Sequence, residues 1–205
     1  MNNCVVYVHG KGGNIAESEH YKKLFADHDI IGLGYQSSLP WKAGKEIRLA
    51  VERLKERYEN IVLVANSIGA YFSLHAHIDN LLEEAYFISP IVDMENLIKG
   101  LMARVNVTEK ELREKKVIST PFGEDLSWEY LCFVRNNPIA WSAPTHVLYG
   151  SEDTITSYAK IRDFCEKFGA TLTVMDGGEH WFHTDKQMAF LDEWIDNARR
   201  KKWVG

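Results

Sequence analysis

The sequence predicts an α/β fold: about six mostly parallel strands in one sheet, helices on both faces and a small helical cap. Three observations predict it. Strand-like apolar runs alternate with amphipathic segments along most of the 205 residues, the pattern of βαβ units. The stretch Ile61-Val62-Leu63-Val64-Ala65-Asn66-Ser67-Ile68-Gly69-Ala70 sets small-x-Ser-x-Gly between a buried-strand run and a helical pattern. That is the layout of a nucleophile elbow, where a sharp strand-to-helix turn exposes a serine oxygen; a simple helix N-cap is the plainer reading of the same serine. Finally, glycine-rich polar segments close several strands, and open parallel sheets gather functional groups at those ends.

The elements follow in order. Cys4-Val5-Val6-Tyr7-Val8 is the first strand, ended by His9-Gly10. Glu17 to Asp27 is helical in composition, and Asp29-Ile30-Ile31-Gly32-Leu33 is the second strand. Ile47, Val51, Leu54 and Tyr58 recur at helical spacing, which predicts an amphipathic helix over 43–58. The elbow strand covers 61–65, and a helix runs from Ile68 to about His77. Ala85-Tyr86-Phe87-Ile88, Thr145-His146-Val147-Leu148-Tyr149 and Thr171-Leu172-Thr173-Val174-Met175 complete the strands. Helices are expected at about 156–168 and from about Thr184 to Lys201.

Residues 91–143 break the rhythm and show no convincing strand. Asp93 caps a helix to about Ala103, Thr108-Glu109-Lys110-Glu111 reads as a capping box, and Ser127 to Val134 is helical, with Pro138 barring its extension. The whole chain, 1–205, is therefore expected to be a single domain with a cap inserted at about 91–143, too small to hold a core of its own.

The net charge of −5, with acids and bases interspersed, argues against nucleic acid as a partner. Arg199-Arg200-Lys201-Lys202 complements the dipole of the last helix. No run approaches the ~20 apolar residues of a membrane span, and the first residues lack signal-peptide order. Cys4, Cys132 and Cys165 form no CxxC pair, so a reduced, cytoplasmic protein is expected.

Four strand ends carry unusual residues: His9-Gly10-Lys11-Gly12-Gly13, Ser67, Gly150-Ser151-Glu152-Asp153, and Asp176-Gly177-Gly178-Glu179-His180. In order they supply an oxyanion loop, a nucleophile, an acid and a base. HGKGG, ANSIG, GSED and GGEH in this sequence resemble the α/β-hydrolase family along nearly the whole chain. The resemblance implies a small serine esterase or hydrolase needing no cofactor or metal. It implies Ser67 as nucleophile, His180 as base and Asp153 as the acid that orients it. The oxyanion donors it implies are the N–H of Ile68 and that of Lys11 or, next, Gly12. Two departures stand out. Ala65 occupies the first small position of the elbow, where the family usually has glycine. The chain also opens at the family's third strand, which implies a minimal fold.

Other residues have alternative readings. His9 is read as orienting the oxyanion loop. His183 and Glu152 are the second choices for base and acid, and Asp93 is a further possible acid. His75 and His77, two apart, point away from each other on a helix. Cys132 and Cys165 read as packing residues. Tyr35, Trp128, Tyr130 and Trp181 are candidate walls of a substrate pocket. The expected partner is a small acyl substrate, with no membrane or nucleic acid, for a monomer or homodimer. Cleavage of a small carboxylic ester, or of a thioester or amide, through an acyl-Ser67 intermediate leads; a peptide-bond or carbon–carbon hydrolase and a noncatalytic ligand-binding protein stay open.

Overall fold

The computed structural model describes residues 2–201. The chain divides into two compact units. One is formed by the described parts of Met1–Val92 and Ala140–Gly205, the other by Asp93–Ile139.

The first unit is built on one six-stranded parallel sheet: β1 (Asn3–Val8), β2 (Asp29–Leu33), β3 (Asn60–Asn66), β4 (Glu84–Ile88), β7 (Thr145–Gly150) and β8 (Thr171–Met175). Its order is β2-β1-β3-β4-β7-β8. The chain winds outward from β1 to β2, then reverses and winds from β3 toward β8. The reversal leaves a crevice between the carboxyl ends of β1 and β3, where doubly wound sheets form their sites. His9-Gly10 leaves β1 and Ser67 leaves β3 at that point.

Both faces of the sheet are buried, so the strands read as near-continuous apolar runs. On one face Tyr7, Val64, Tyr86 and Leu148 pack with Phe25 and Trp194 in one core cluster. Alternate positions such as Val6, Leu63 and Phe87 are equally buried and face the other way by the two-residue period of a strand. Helices α1 (Pro40–Lys55), α2 (Ile68–Leu74), α6 (Tyr158–Phe168) and α7 (Asp185–Lys201) connect or follow the strands. At Gly44, α1 comes so near the end of α2 that a Cβ would sit 2.9 Å from the His75 carbonyl oxygen.

Several boundaries differ from expectation. The segment beginning near Glu17 is a 3-10 helix, Ile15–Lys23, not an α-helix. Ser18, Tyr21 and Leu24 are its buried residues and the next in line, and spacing of three matches 3.0 residues per turn. Helix α1 starts at Pro40, where proline suits the first helical turn. Helix α2 stops at Leu74, and His77 takes a positive φ of 53°.

The second unit holds α3 (Met94–Arg104), α4 (Glu109–Lys115) and α5 (Trp128–Asn136). Asp93 caps α3, the Thr108–Glu111 capping box opens α4, and Ser127 caps α5. Arg135 on α5 bonds Glu95 on α3 and Glu109 on α4. The expectation of no strand here fails. β5 (Val117–Ser119) and β6 (Asp125–Ser127) form an antiparallel hairpin, turning through Gly123 at φ 75°. Three residues per strand are too few to display an alternating pattern.

Candidate active site

Ser67 occupies a backbone conformation that L-residues rarely adopt, φ 52° and ψ −118°. The surroundings fix it there. Its N–H donates to the Ile88 carbonyl of β4 (3.0 Å), and its carbonyl accepts from Ile91 (3.2 Å) and Ala70 (3.2 Å). Gly69 explains the last small position of the elbow, because a Cβ there would lie 2.3 Å from the His9 carbonyl oxygen. Ala65 is fully buried on β3, and the turn forms with its methyl present.

The loops after β7 and β8 bring two more groups to this serine. Ser67 Oγ lies 2.8 Å from His180 Nε2, and His180 Nδ1 lies 2.7 Å from Asp153 Oδ2. A neutral imidazole protonated at Nδ1 satisfies both contacts: Nδ1–H donates to the carboxylate, and Nε2 accepts the serine O–H. The Asp153 side chain is wholly buried. Its Oδ1 accepts the N–H groups of Ile155 (2.7 Å) and Thr156 (3.0 Å). These bonds satisfy the buried carboxylate and aim its other oxygen at the imidazole. Gly150 lets the two loops meet, since a Cβ there would lie 2.3 Å from the Gly178 carbonyl oxygen. Glu152, two residues beyond Gly150 in the same loop, donates its N–H to the Gly178 carbonyl (2.8 Å).

The first loop lies against the serine. A Cβ at Gly10 would sit 3.3 Å from Ser67 Cβ. Gly13 N–H closes a turn on the Gly10 carbonyl at 3.2 Å, with Lys11 and Gly12 at its centre and Gly12 at φ 75°. His9 Nδ1 bonds the same carbonyl at 2.8 Å. Ile68, directly after Ser67, opens α2, and first-turn N–H groups have no intrahelical acceptor.

The remaining candidates are placed as follows. Tyr35 stacks on His9, with ring centroids 4.5 Å apart, and its O–H donates to the His9 carbonyl (3.1 Å). It braces the loop. Trp181 is 66% exposed and stacks on His183 at 4.3 Å. His183 in turn approaches Glu179 at 3.8 Å and the Trp181 carbonyl at 2.8 Å, so it is occupied away from Ser67. Trp128 and Tyr130 open α5 of the second unit, and Asp93 serves α3 as its cap. Cys165 is buried and Cys132 half-buried. Sequence reasoning missed the two amides that hold Asp153. An aspartate accepting N–H bonds from two and three residues onward is a turn habit of that side chain, and Asp153-Thr154-Ile155-Thr156 carries that signal.

No protein-family model matches the sequence, and no curated protein matches it. Solved structures do match in shape. Est1E from Butyrivibrio proteoclasticus is similar with a TM-score of 0.75 at 14% identity, covering 100% of this chain and 89% of that one. Alpha/beta hydrolase domain-containing protein 10 from mouse gives 0.72 at 17% identity, with 96% and 89% covered. The Pyrococcus furiosus esterase PF2001 gives 0.63 at 16% identity, with 100% and 83% covered.

Proposed function

We propose, from the α/β-hydrolase fold that this chain shares with those structures, that the protein is a serine hydrolase acting on a small carboxylic ester. The single observation that carries this reading is the hydrogen-bonded series Ser67 Oγ–His180 Nε2 and His180 Nδ1–Asp153 Oδ2. A serine hydroxyl is a weak nucleophile until a base takes its proton. His180 Nε2 removes that proton as Oγ attacks the acyl carbon. Asp153 fixes the tautomer and stabilises the imidazolium. The tetrahedral oxyanion is held by the N–H of Ile68 and an N–H of the Lys11–Gly12 turn. His180 then returns the proton to the leaving alcohol, and an acyl-Ser67 ester remains. Water, deprotonated by the same imidazole, attacks that ester, and the acid leaves with Ser67 restored.

The choice of a carboxylic ester draws on two of the similar structures. One is named an esterase, and Est1E is also described with ferulic acid bound. Tyr35 and Trp181, both beside the loops that carry these groups, are proposed to meet the substrate. Free cysteines at positions 4, 132 and 165 support a reducing, cytoplasmic setting.

The reading is tested by hydrolysis of p-nitrophenyl esters. Ser67→Ala and His180→Ala are each expected to abolish turnover while far-UV circular dichroism stays unchanged. Undiminished turnover in the serine variant would sink it.

A further inference from the structure

A hydrogen-bonded cluster behind the nucleophile elbow takes no part in the proton relay just described. Tyr7 on β1 is 2% exposed and pairs in register with Val64 on β3. Asn66 lies two residues beyond Val64 and so projects to the same face of the sheet. The Asn66 side chain is near enough to the Tyr7 phenol to favour its charged form, against the larger effects that raise it. The Tyr7 O–H donates to Glu17 Oε2 at 2.5 Å. The other oxygen of the same carboxylate, Oε1, accepts the Asn14 N–H at 3.1 Å.

Asn14 directly follows the turn Gly10–Gly13. Gly13 itself rests on the carboxylate, for a Cβ there would lie 2.7 Å from Glu17 Oε1. The Glu17 carboxylate therefore ties Tyr7, on the strand that pairs with the one ending at Ser67, to the residue after the oxyanion turn. Capping of the 3-10 helix accounts for the Asn14 contact alone. It has no use for Tyr7. Burial, followed by the neighbouring Tyr21 and Glu17, raises the Tyr7 phenol far above its ordinary ionisation range, so it remains a donor at any working pH.

We infer that Glu17 is a positioning residue, holding the oxyanion loop in register with Ser67 through Tyr7 and the β1–β3 pairing. The inference rests on Ser67 being the nucleophile. Oxyanion donors act by being fixed before charge develops, and a misplacement of about 1 Å can cost about 100-fold in rate. A link between the two halves of the hole thus belongs to transition-state stabilisation and not to substrate affinity.

Tyr7→Phe, Glu17→Ala and Glu17→Gln are compared with wild type on p-nitrophenyl butyrate and in the rate of fluorophosphonate labelling at Ser67. Tyr7→Phe is the decisive variant, because it leaves the Asn14–Glu17 cap in place. Tyr7→Phe and Glu17→Ala are expected to lower kcat about 10- to 100-fold at unchanged KM, with labelling slowed in parallel. Glu17→Gln retains one acceptor oxygen and loses less than Glu17→Ala. Should Tyr7→Phe fail to fold, Glu17→Ala cuts the same link from its other end and is expected to show the same kcat loss. Wild-type kcat and labelling in the variant that folds, or a change confined to KM, would overturn the positioning role while leaving the serine mechanism standing. Wild-type protein that takes no fluorophosphonate at Ser67 would instead reject the serine mechanism, and this role with it.

Discussion

Asp153 shows how one side chain is made fit for its place. Its carboxylate is buried, and such burial is costly unless hydrogen bonds replace water. Two amide donors and the imidazole N–H supply them. Asp153→Asn keeps the shape but puts a donor or a weaker acceptor opposite Nδ1, which favours the wrong tautomer. It is expected to lower kcat by about 10⁴-fold, as the corresponding change does in a serine protease, measured on p-nitrophenyl esters with unchanged circular dichroism. Asp153 and His180 were legible because each follows a strand and a glycine. The link from Tyr7 to Glu17 was not. Asn14-x-x-Glu17 is visible as a capping signature, but Tyr7 lies 10 residues away and reaches the carboxylate only when β1 takes its place in the sheet.

At the scale of elements, the elbow stores strain in a single residue. Ser67 at φ 52°, ψ −118° costs on the order of 1–3 kcal/mol that glycine would largely avoid. Ser67→Gly is therefore expected to unfold at a higher urea concentration than Ser67→Ala, by about 1 kcal/mol or more. An equal or lower midpoint would show that the turn is not strained. Gly69→Ala tests the packing of the same turn. Its Cβ would meet two carbonyl oxygens of the β1 exit, at 2.3 and 2.7 Å, and backbone there has no side chain to move aside. A loss of several kcal/mol or failure to fold is expected, well beyond the ~1 kcal/mol typical of point changes. The strands and the elbow were legible from apolar runs and turn residues. The 3-10 helix and the hairpin were not, because tertiary packing and pairing define them and propensity does not.

For the whole molecule, the order β2-β1-β3-β4-β7-β8 explains why four separated motifs converge. Every strand of the six-stranded sheet points the same way, so every carboxyl-end loop of that sheet opens on one edge. That consequence could be read from the alternation of elements, whereas the strand order could not, since it depends on which neighbours each strand finds. Global stability has its own pH signature. Burial, with His77 adding to it, pushes the His75 imidazole from 6.5 down to about 4. Below about 6.5 the unfolded chain takes up a proton that the folded chain refuses until about pH 4. Stability from this group is complete above 6.5 and is lost as pH falls toward 4. His75→Gln is expected to show a shallower fall in urea midpoint across that window, and an identical slope would contradict the assignment.

The central claim is that Ser67 is an activated nucleophile. Treating the protein with a fluorophosphonate probe and locating the adduct by peptide mass spectrometry tests it without assuming a substrate. An adduct on Ser67 is expected in wild type and none in His180→Ala. Folded wild-type protein that carries no adduct, or carries it on another residue, would contradict it.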